Sequence, residues 1–136
     1  MISADSESRL KATFGKDKRL LTAKNYSRVF NGAEVKASHK YLLLLAIKNN
    51  EPGHRLGLVI AKKNVRLAVQ RNRMKRVSRE FFRSLPSTDS SMDVVLLARR
   101  GMDQLDNAEL YSILRKQWQK IERHTAKLNS TVSRDQ

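Results

Sequence analysis

The stretch 55–99 constrains the fold more than any other. Two runs in it read as strands. In 55–61, Leu56, Leu58 and Ile60 alternate with smaller or polar residues, the period of a strand with one buried face. The run 92–99 is apolar apart from Asp93 and its terminal Arg99 and reads as a buried strand. Between them the period changes. Over 67–85, Met74, Val77, Phe81 and Leu85 recur at spacings of 3, 4 and 4, which puts them on one side of a helix. Pro86 and the Ser/Thr/Asp cluster up to Ser91 end that helix. Strand, helix and strand in succession make a βαβ unit.

The remaining elements fall around this unit. Thr22 is an N-cap candidate and Gly32 sits at a C′ position, so a short helix lies between them. Tyr26, Val29 and Phe30 share its spacing, and Leu21 can staple onto Tyr26. Val35 begins a weak strand and 41–47 is a strong apolar one. Asn49-Asn50-Glu51-Pro52-Gly53 is turn chemistry. With 55–61 these read as three consecutive strands, an antiparallel meander. Asp106 and Glu109 form a variant capping box that opens a last helix. Its apolar face is Leu110, Ile113, Leu114, Trp118, with Gln117 beside it, and Ile121. The order is α-β-β-β-α-β-α, an α+β class. With 136 residues the chain has room for one domain. We expect a loose arm over 1–13, the domain over 14–124 and a fraying tail over 125–136.

Charge narrows the partner. The chain carries a formal net charge of +15 and no cysteine. The missing cysteines exclude a disulfide scaffold, a thiol nucleophile and Cys-liganded zinc, and fit a cytoplasmic location. No apolar run approaches the ~20 residues of a membrane span. Residues 1–12 have no apolar core of a signal peptide. Over 62–83 there are nine cations, Lys62, Lys63, Arg66, Arg71, Arg73, Lys75, Arg76, Arg79 and Arg83, against one anion, Glu80. Most of those on the helix fan across the side away from its apolar stripe. Like charges at i,i+4 cost stability, so a bare solvated face is a poor account of the row. A peripheral amphipathic membrane helix is another poor account, because this helix lies between two strong strands. Contact with nucleic acid fits best: arginines outnumber lysines here, and guanidinium suits planar phosphate recognition and base stacking.

The eight aromatics divide in the same way. Phe81 and Trp118 lie on apolar faces and read as core. Tyr26 and Phe30, four apart on a short helix, and Tyr41 on the next strong strand can be core or a stacking platform for unpaired nucleotides. A search for catalytic groups finds little. His39, His54 and His124 have no metal-ligand neighbour at i+3 or i+4, and there is no glycine-rich phosphate loop. Asp103, Asp106 and Glu109 are the one acidic cluster, and capping accounts for the latter two. The expectation is no catalytic residue and no metal site in the protein itself.

Arg71-Asn72-Arg73-Met74-Lys75-Arg76, followed by Arg79-Glu80-Phe81-Phe82, resembles the Arg-Asn-Arg helix of the bacterial ribonuclease P protein family. The preceding Arg55-Leu56-Gly57-Leu58-Val59-Ile60-Ala61-Lys62-Lys63 is similar to that family's third strand and its Lys-Lys exit. Arg19-Leu20, the Tyr26…Val29-Phe30 helix and Met92-Asp93-Val94-Val95 match in the same order. Some members carry a glycine in the turn that here reads Asn64-Val65-Arg66.

The resemblance implies a four-stranded mixed sheet like that of ribosomal protein S5 domain 2, with 55–61 and 92–99 parallel and joined by a left-handed crossover. It implies a cofactor role in removing the 5′ leader of precursor tRNA, with catalysis and bound Mg²⁺ belonging to the RNA subunit. By the same resemblance Arg66, Arg71, Asn72, Arg73, Lys75, Arg76, Arg79 and Arg83 face the RNA subunit. Phe14, Tyr26, Phe30, Tyr41, Lys62 and Lys63 take the precursor's leader. No membrane and no obligatory protein partner are implied. The rival readings are a ribosomal or other structural RNA-binding protein without a processing role, and a metal-dependent nuclease built on Asp103, Asp106 and Glu109.

Overall fold

The computed structural model describes residues 22–49, 53–85 and 91–135, with side chains to 126. The expected arm over 1–13, Phe14, Arg19-Leu20, the Leu21 staple and most of the segment from Pro86 to Ser91 lie outside them.

Helix α1 is Ala23–Gly32. The Thr22 hydroxyl accepts from the Asn25 backbone N–H at 3.1 Å, and Asn25 Oδ1 accepts from the Thr22 N–H at 3.3 Å. Asn25 thus fills the place that Glu or Gln usually takes in a capping box. Gly32 is the last helical residue, not the C′ residue expected, and among the described residues the one positive φ belongs to Gly101. Gly32 instead marks a close approach: a Cβ there would lie 3.0 Å from Ile47 Cδ1, whose side chain would have to give by a few tenths of an ångström.

The strands are β1 (Val35–Ser38), β2 (Leu42–Lys48), β3 (Arg55–Val59) and β4 (Met92–Ala98), in the sheet order β1-β2-β4-β3. β1 pairs antiparallel with β2, β2 antiparallel with β4, and β3 parallel with β4. The meander therefore stops after two strands, because β4 is inserted between β2 and β3. Burial explains the order. β4 is buried at every residue but Leu97, which suits an inner strand, whereas β3 is only partly buried and takes the edge. A parallel pair requires a crossover connection, and helix α2, Ala68–Arg83, supplies it as the period change predicted.

One face of the sheet carries α2 and the last helix α3, Asn107–Asp135. Met74, Val77, Phe81 and Phe82 of α2 and Leu110, Leu114, Trp118 and Ile121 of α3 join Leu44, Leu56, Val94 and Leu96 in the main core. Phe82 meets Trp118 edge-on at 5.4 Å and Phe81 meets Tyr111 at 5.2 Å. The other face carries α1, whose Val29 packs on Leu45 and Val95. Gly101, at φ 95°, turns the chain after β4 into a short 3₁₀ turn, Met102–Gln104. The capping box of α3 forms, with the Glu109 N–H on Asp106 Oδ1 at 2.7 Å and the Asp106 N–H on Glu109 Oε1 at 3.0 Å. α3 continues past the expected boundary at 124. Thr125 is buried, and its hydroxyl donates to Ile121 O at 2.8 Å and lies 3.5 Å from Met92 Sδ.

Candidate nucleic-acid interface

The apolar stripe seats α2, and the opposite side is cationic. Asn72, Arg76 and Arg83 are exposed, and Lys75 and Arg79 are half-buried. Lys75 and Arg76 make no hydrogen bond or ion pair among the described residues. Lys62, Lys63 and Arg66, in the turn that leads into the helix, are exposed as well. The first turn also exposes Leu67 and Val69.

Two arginines of the row point elsewhere. Arg71 Nη1 donates to Val65 O at 3.1 Å and to Arg66 O at 2.7 Å, tying the entry turn to the helix. That turn needs no glycine. The Asn64 and Val65 N–H groups both reach Ala61 O at 3.0 Å, and the Asn64 amide donates to Ala98 O at 3.0 Å. Arg73 spans the gap to α3. Its Nε donates to Gln70 Oε1 at 2.8 Å, its Nη1 to Asn107 Oδ1 at 2.8 Å, and its Nη2 to Leu105 O at 2.8 Å and Asp103 O at 3.3 Å. Sequence holds no signal for this diversion, since the planar fork that suits a phosphate suits backbone carbonyls equally.

The face that carries α1 is laid out in rows by the strand register. Ile47, Asp93 and Arg55 form one row, Leu45, Val95 and Gly57 the next, and Leu43, Leu97 and Val59 a third. α1 covers the first two. Val29 lies on Leu45 and Val95. The Tyr26 ring lies so close over Gly57 that a Cβ there would come within 2.7 Å of it, and its hydroxyl accepts from the Leu58 N–H at 3.2 Å. The third row is half-buried, an apolar strip beside the helix. Phe30, one turn after Tyr26, is 44% exposed. Lys62 and Lys63 follow three and four residues after Val59, at the end of this strip.

Tyr26 and Phe30 therefore stand together, and Tyr41 does not join them. Tyr41 precedes β2 and packs against the core on the other face, with its ring 5.7 Å from that of His39. A Cβ on Gly101 would lie 2.9 Å from its Cε1.

Asp93, read as the exception in an apolar strand, is fully buried. Arg55 grips it through Nε and Nη2, both at 2.7 Å, Asn49 Nδ2 donates at 2.7 Å, and Arg28 of α1 completes the set. Burial alone would raise its pKa. The hydrogen bonds from Arg55, Asn49 and Arg28 outweigh burial and hold the carboxyl below its ordinary range. A lone acid in an apolar strand was the available signal, because a buried charge must be paired.

Among the described residues no three His, Cys, Asp or Glu side chains are placed to hold a metal ion, and no helix is long and apolar enough to cross a membrane. Asp106 and Glu109 are committed to capping.

These features define a small basic α+β protein with a rigid cationic helix on one layer and an aromatic-edged strip on the other. The sequence model of the Ribonuclease P family matches residues 14–122. The ribonuclease P protein component of Pseudomonas aeruginosa PAO1 is 47% identical over 117 residues, covering 86% of this chain and 87% of that one. That of Marinobacter nauticus is 45% identical over 111 residues, covering 82% and 83%. Among solved structures, the RNase P protein of Staphylococcus aureus superposes with a TM-score of 0.67 at 23% identity, over 75% of this chain and 93% of that one. The RNase P protein of Thermotoga maritima superposes with a TM-score of 0.61 at 25% identity, over 72% and 92%. The chain belongs to the bacterial ribonuclease P protein component family.

Proposed function

We propose that this chain is the protein subunit of ribonuclease P, acting in the cytoplasm on precursor tRNA without an obligatory protein partner. It binds the catalytic RNA subunit through Arg66, Asn72, Lys75, Arg76, Arg79 and Arg83, and the 5′ leader along α1 and the strip beside it. Arg71 and Arg73 support that surface from behind, through the carbonyls they bind. The RNA subunit and its Mg²⁺ supply the chemistry of leader removal. The protein neutralises phosphate charge and positions the leader. Membership of the family across the whole domain carries this reading. It also disfavours a structural RNA-binding role without processing.

The leader contact has a direct test. A base stacked on an aromatic is worth about 1–3 kcal/mol, and Phe30 is too exposed for its loss to unfold the domain. Phe30→Ala in the reconstituted holoenzyme is expected to weaken precursor tRNA about tenfold and leave mature tRNA unchanged. Equal weakening of both in equilibrium binding would mean that Phe30 does not touch the leader.

A further inference from the structure

We propose that a second subsite for single-stranded RNA lies at the corner between the β1–β2 turn and α3. It is formed by Lys40, Tyr41, Arg99, Lys116 and Lys120, and takes the upstream phosphates of a leader that outruns the strip beside α1. This rests on the function proposed above.

The last helix packs against β1, the strand that leads into His39, and brings Lys116 and Lys120 to the side of the turn where Arg99 is held. His39 Nδ1 accepts the Tyr41 N–H at 3.1 Å, which fixes the turn. Burial first, then the charges of Lys120, Arg99 and Lys116, push the His39 pKa down. Arg99 is held in place, its Nη1 donating to Ser38 Oγ at 3.0 Å and to His39 O at 2.8 Å. Lys116 and Lys120 lie one turn apart on α3, are exposed, and make no hydrogen bond or ion pair among the described residues. Such a like-charge pair costs a helix stability, and a bound phosphate reverses the sign of that cost. The Tyr41 ring is wedged beside Gly101, with the Lys40 ammonium 5.3 Å from its centroid. An ordered aromatic among cations is the composition of sites that bind single strands without reading their sequence.

Continuity with the strip identifies the occupant. Leu43 and Leu97 are paired in the strip, and Tyr41 and Arg99 lie two residues beyond them, with the Arg99 N–H on Tyr41 O at 3.0 Å. Two residues of strand span about 7 Å, so a strand leaving the strip past Leu43 meets Arg99 first, where it reaches Ser38. It rounds the end of the sheet there to Tyr41 and the α3 lysines on the opposite layer.

The test is Lys116→Ala/Lys120→Ala in the reconstituted holoenzyme, with one precursor tRNA whose leader is lengthened stepwise. Alanine is the best helix former, so an unchanged thermal midpoint is expected and is measured first. In the wild type, affinity and its salt slope are expected to rise with leader length and level off. The variant should lose the last increment, with its slope on the longest leader flatter by about 1–1.5 for two single-strand phosphates. Short leaders and the RNA subunit alone should bind as before, and Lys116→Arg/Lys120→Arg should restore the increment. The His39 titration should move up when the long leader binds, since a phosphate neutralises the surrounding cations. Equal losses on short and long leaders, or a loss confined to the RNA subunit, would overturn the subsite while leaving the leader reading intact. No leader dependence even in the wild type would sink both.

Discussion

Replacing Asp93 by alanine costs about 3 kcal/mol and, on a domain of this size, lowers the thermal midpoint by about 10 °C. The carboxylate is fully buried, and the substitution leaves Arg55, with 19% of its side chain exposed, without its anion. Arg28 is 46% exposed and can turn to water, so Arg28→Ala costs no more than about 1 kcal/mol. Asp93→Asn keeps the shape and loses the charge, and should fall between these. The pH dependence has a definite sign. The folded pKa of Asp93 lies below its unfolded value of 3.8. Its contribution is therefore complete above that value and is lost as pH falls through the folded pKa. Melts of wild type and Asp93→Asn should converge in acid and separate above about pH 4. Parallel curves across that range would show that the buried cluster is not the source of the difference.

The second large effect concerns RNA. Changing Lys75, Arg76, Arg79 and Arg83 together to alanine should flatten the salt slope of RNA-subunit binding by about 3–4. At ~1 kcal/mol per charge-assisted contact, affinity falls about a thousandfold. Alanine at these positions favours the helix, so the fold survives. Arg73→Ala should behave in the opposite way. It removes three hydrogen bonds to α3 and the turn before it, and one to Gln70 on its own helix, and costs about 2 kcal/mol of stability. The slope should remain near that of the wild type. Arg73→Lys should not rescue stability, because an ammonium lacks the planar fork. Filter binding across a salt series and thermal melts separate the two behaviours. A salt slope that flattened by a full unit in Arg73→Ala would mean that its guanidinium leaves α3 for the RNA.

How much was legible in the chain follows from what each signal depends on. The α2 stripe, the Thr22 N-cap, the Asp106/Glu109 capping box and the α3 face depend on local period and local hydrogen bonds, and all were readable; that Asn25 completes a box with Thr22 was not read. The place of β3 was not readable from its own pattern, which suggested a meander; its parallel pairing with 92–99 was implied by the family resemblance alone, and it forms. Strand neighbours are settled by which run most needs burial on both faces, a comparison across the whole chain that turn chemistry at 49–53 does not contain. Gly32 looked like a terminator and is instead a point of close approach to Ile47, a tertiary fact. The cationic row was evident as charge, but its division into outward and inward arginines depends on the local turn that aims the Val65 and Arg66 carbonyls at Arg71, and on the Asp103 and Leu105 carbonyls that only the fold brings near Arg73. Asp93 was visible as an anomaly. Its partners, on α1, on β3 and after β2, were not, because they lie 38 to 65 residues away in sequence.

The most direct measurement of the central claim is cleavage of a precursor tRNA at low Mg²⁺ by a matched bacterial ribonuclease P RNA, with and without this protein, and by the protein alone. The expected result is rapid release of the leader by the mixture, little cleavage by the RNA alone at that Mg²⁺ concentration, and none by the protein alone. Tight binding of the RNA subunit with no gain in cleavage would contradict the account.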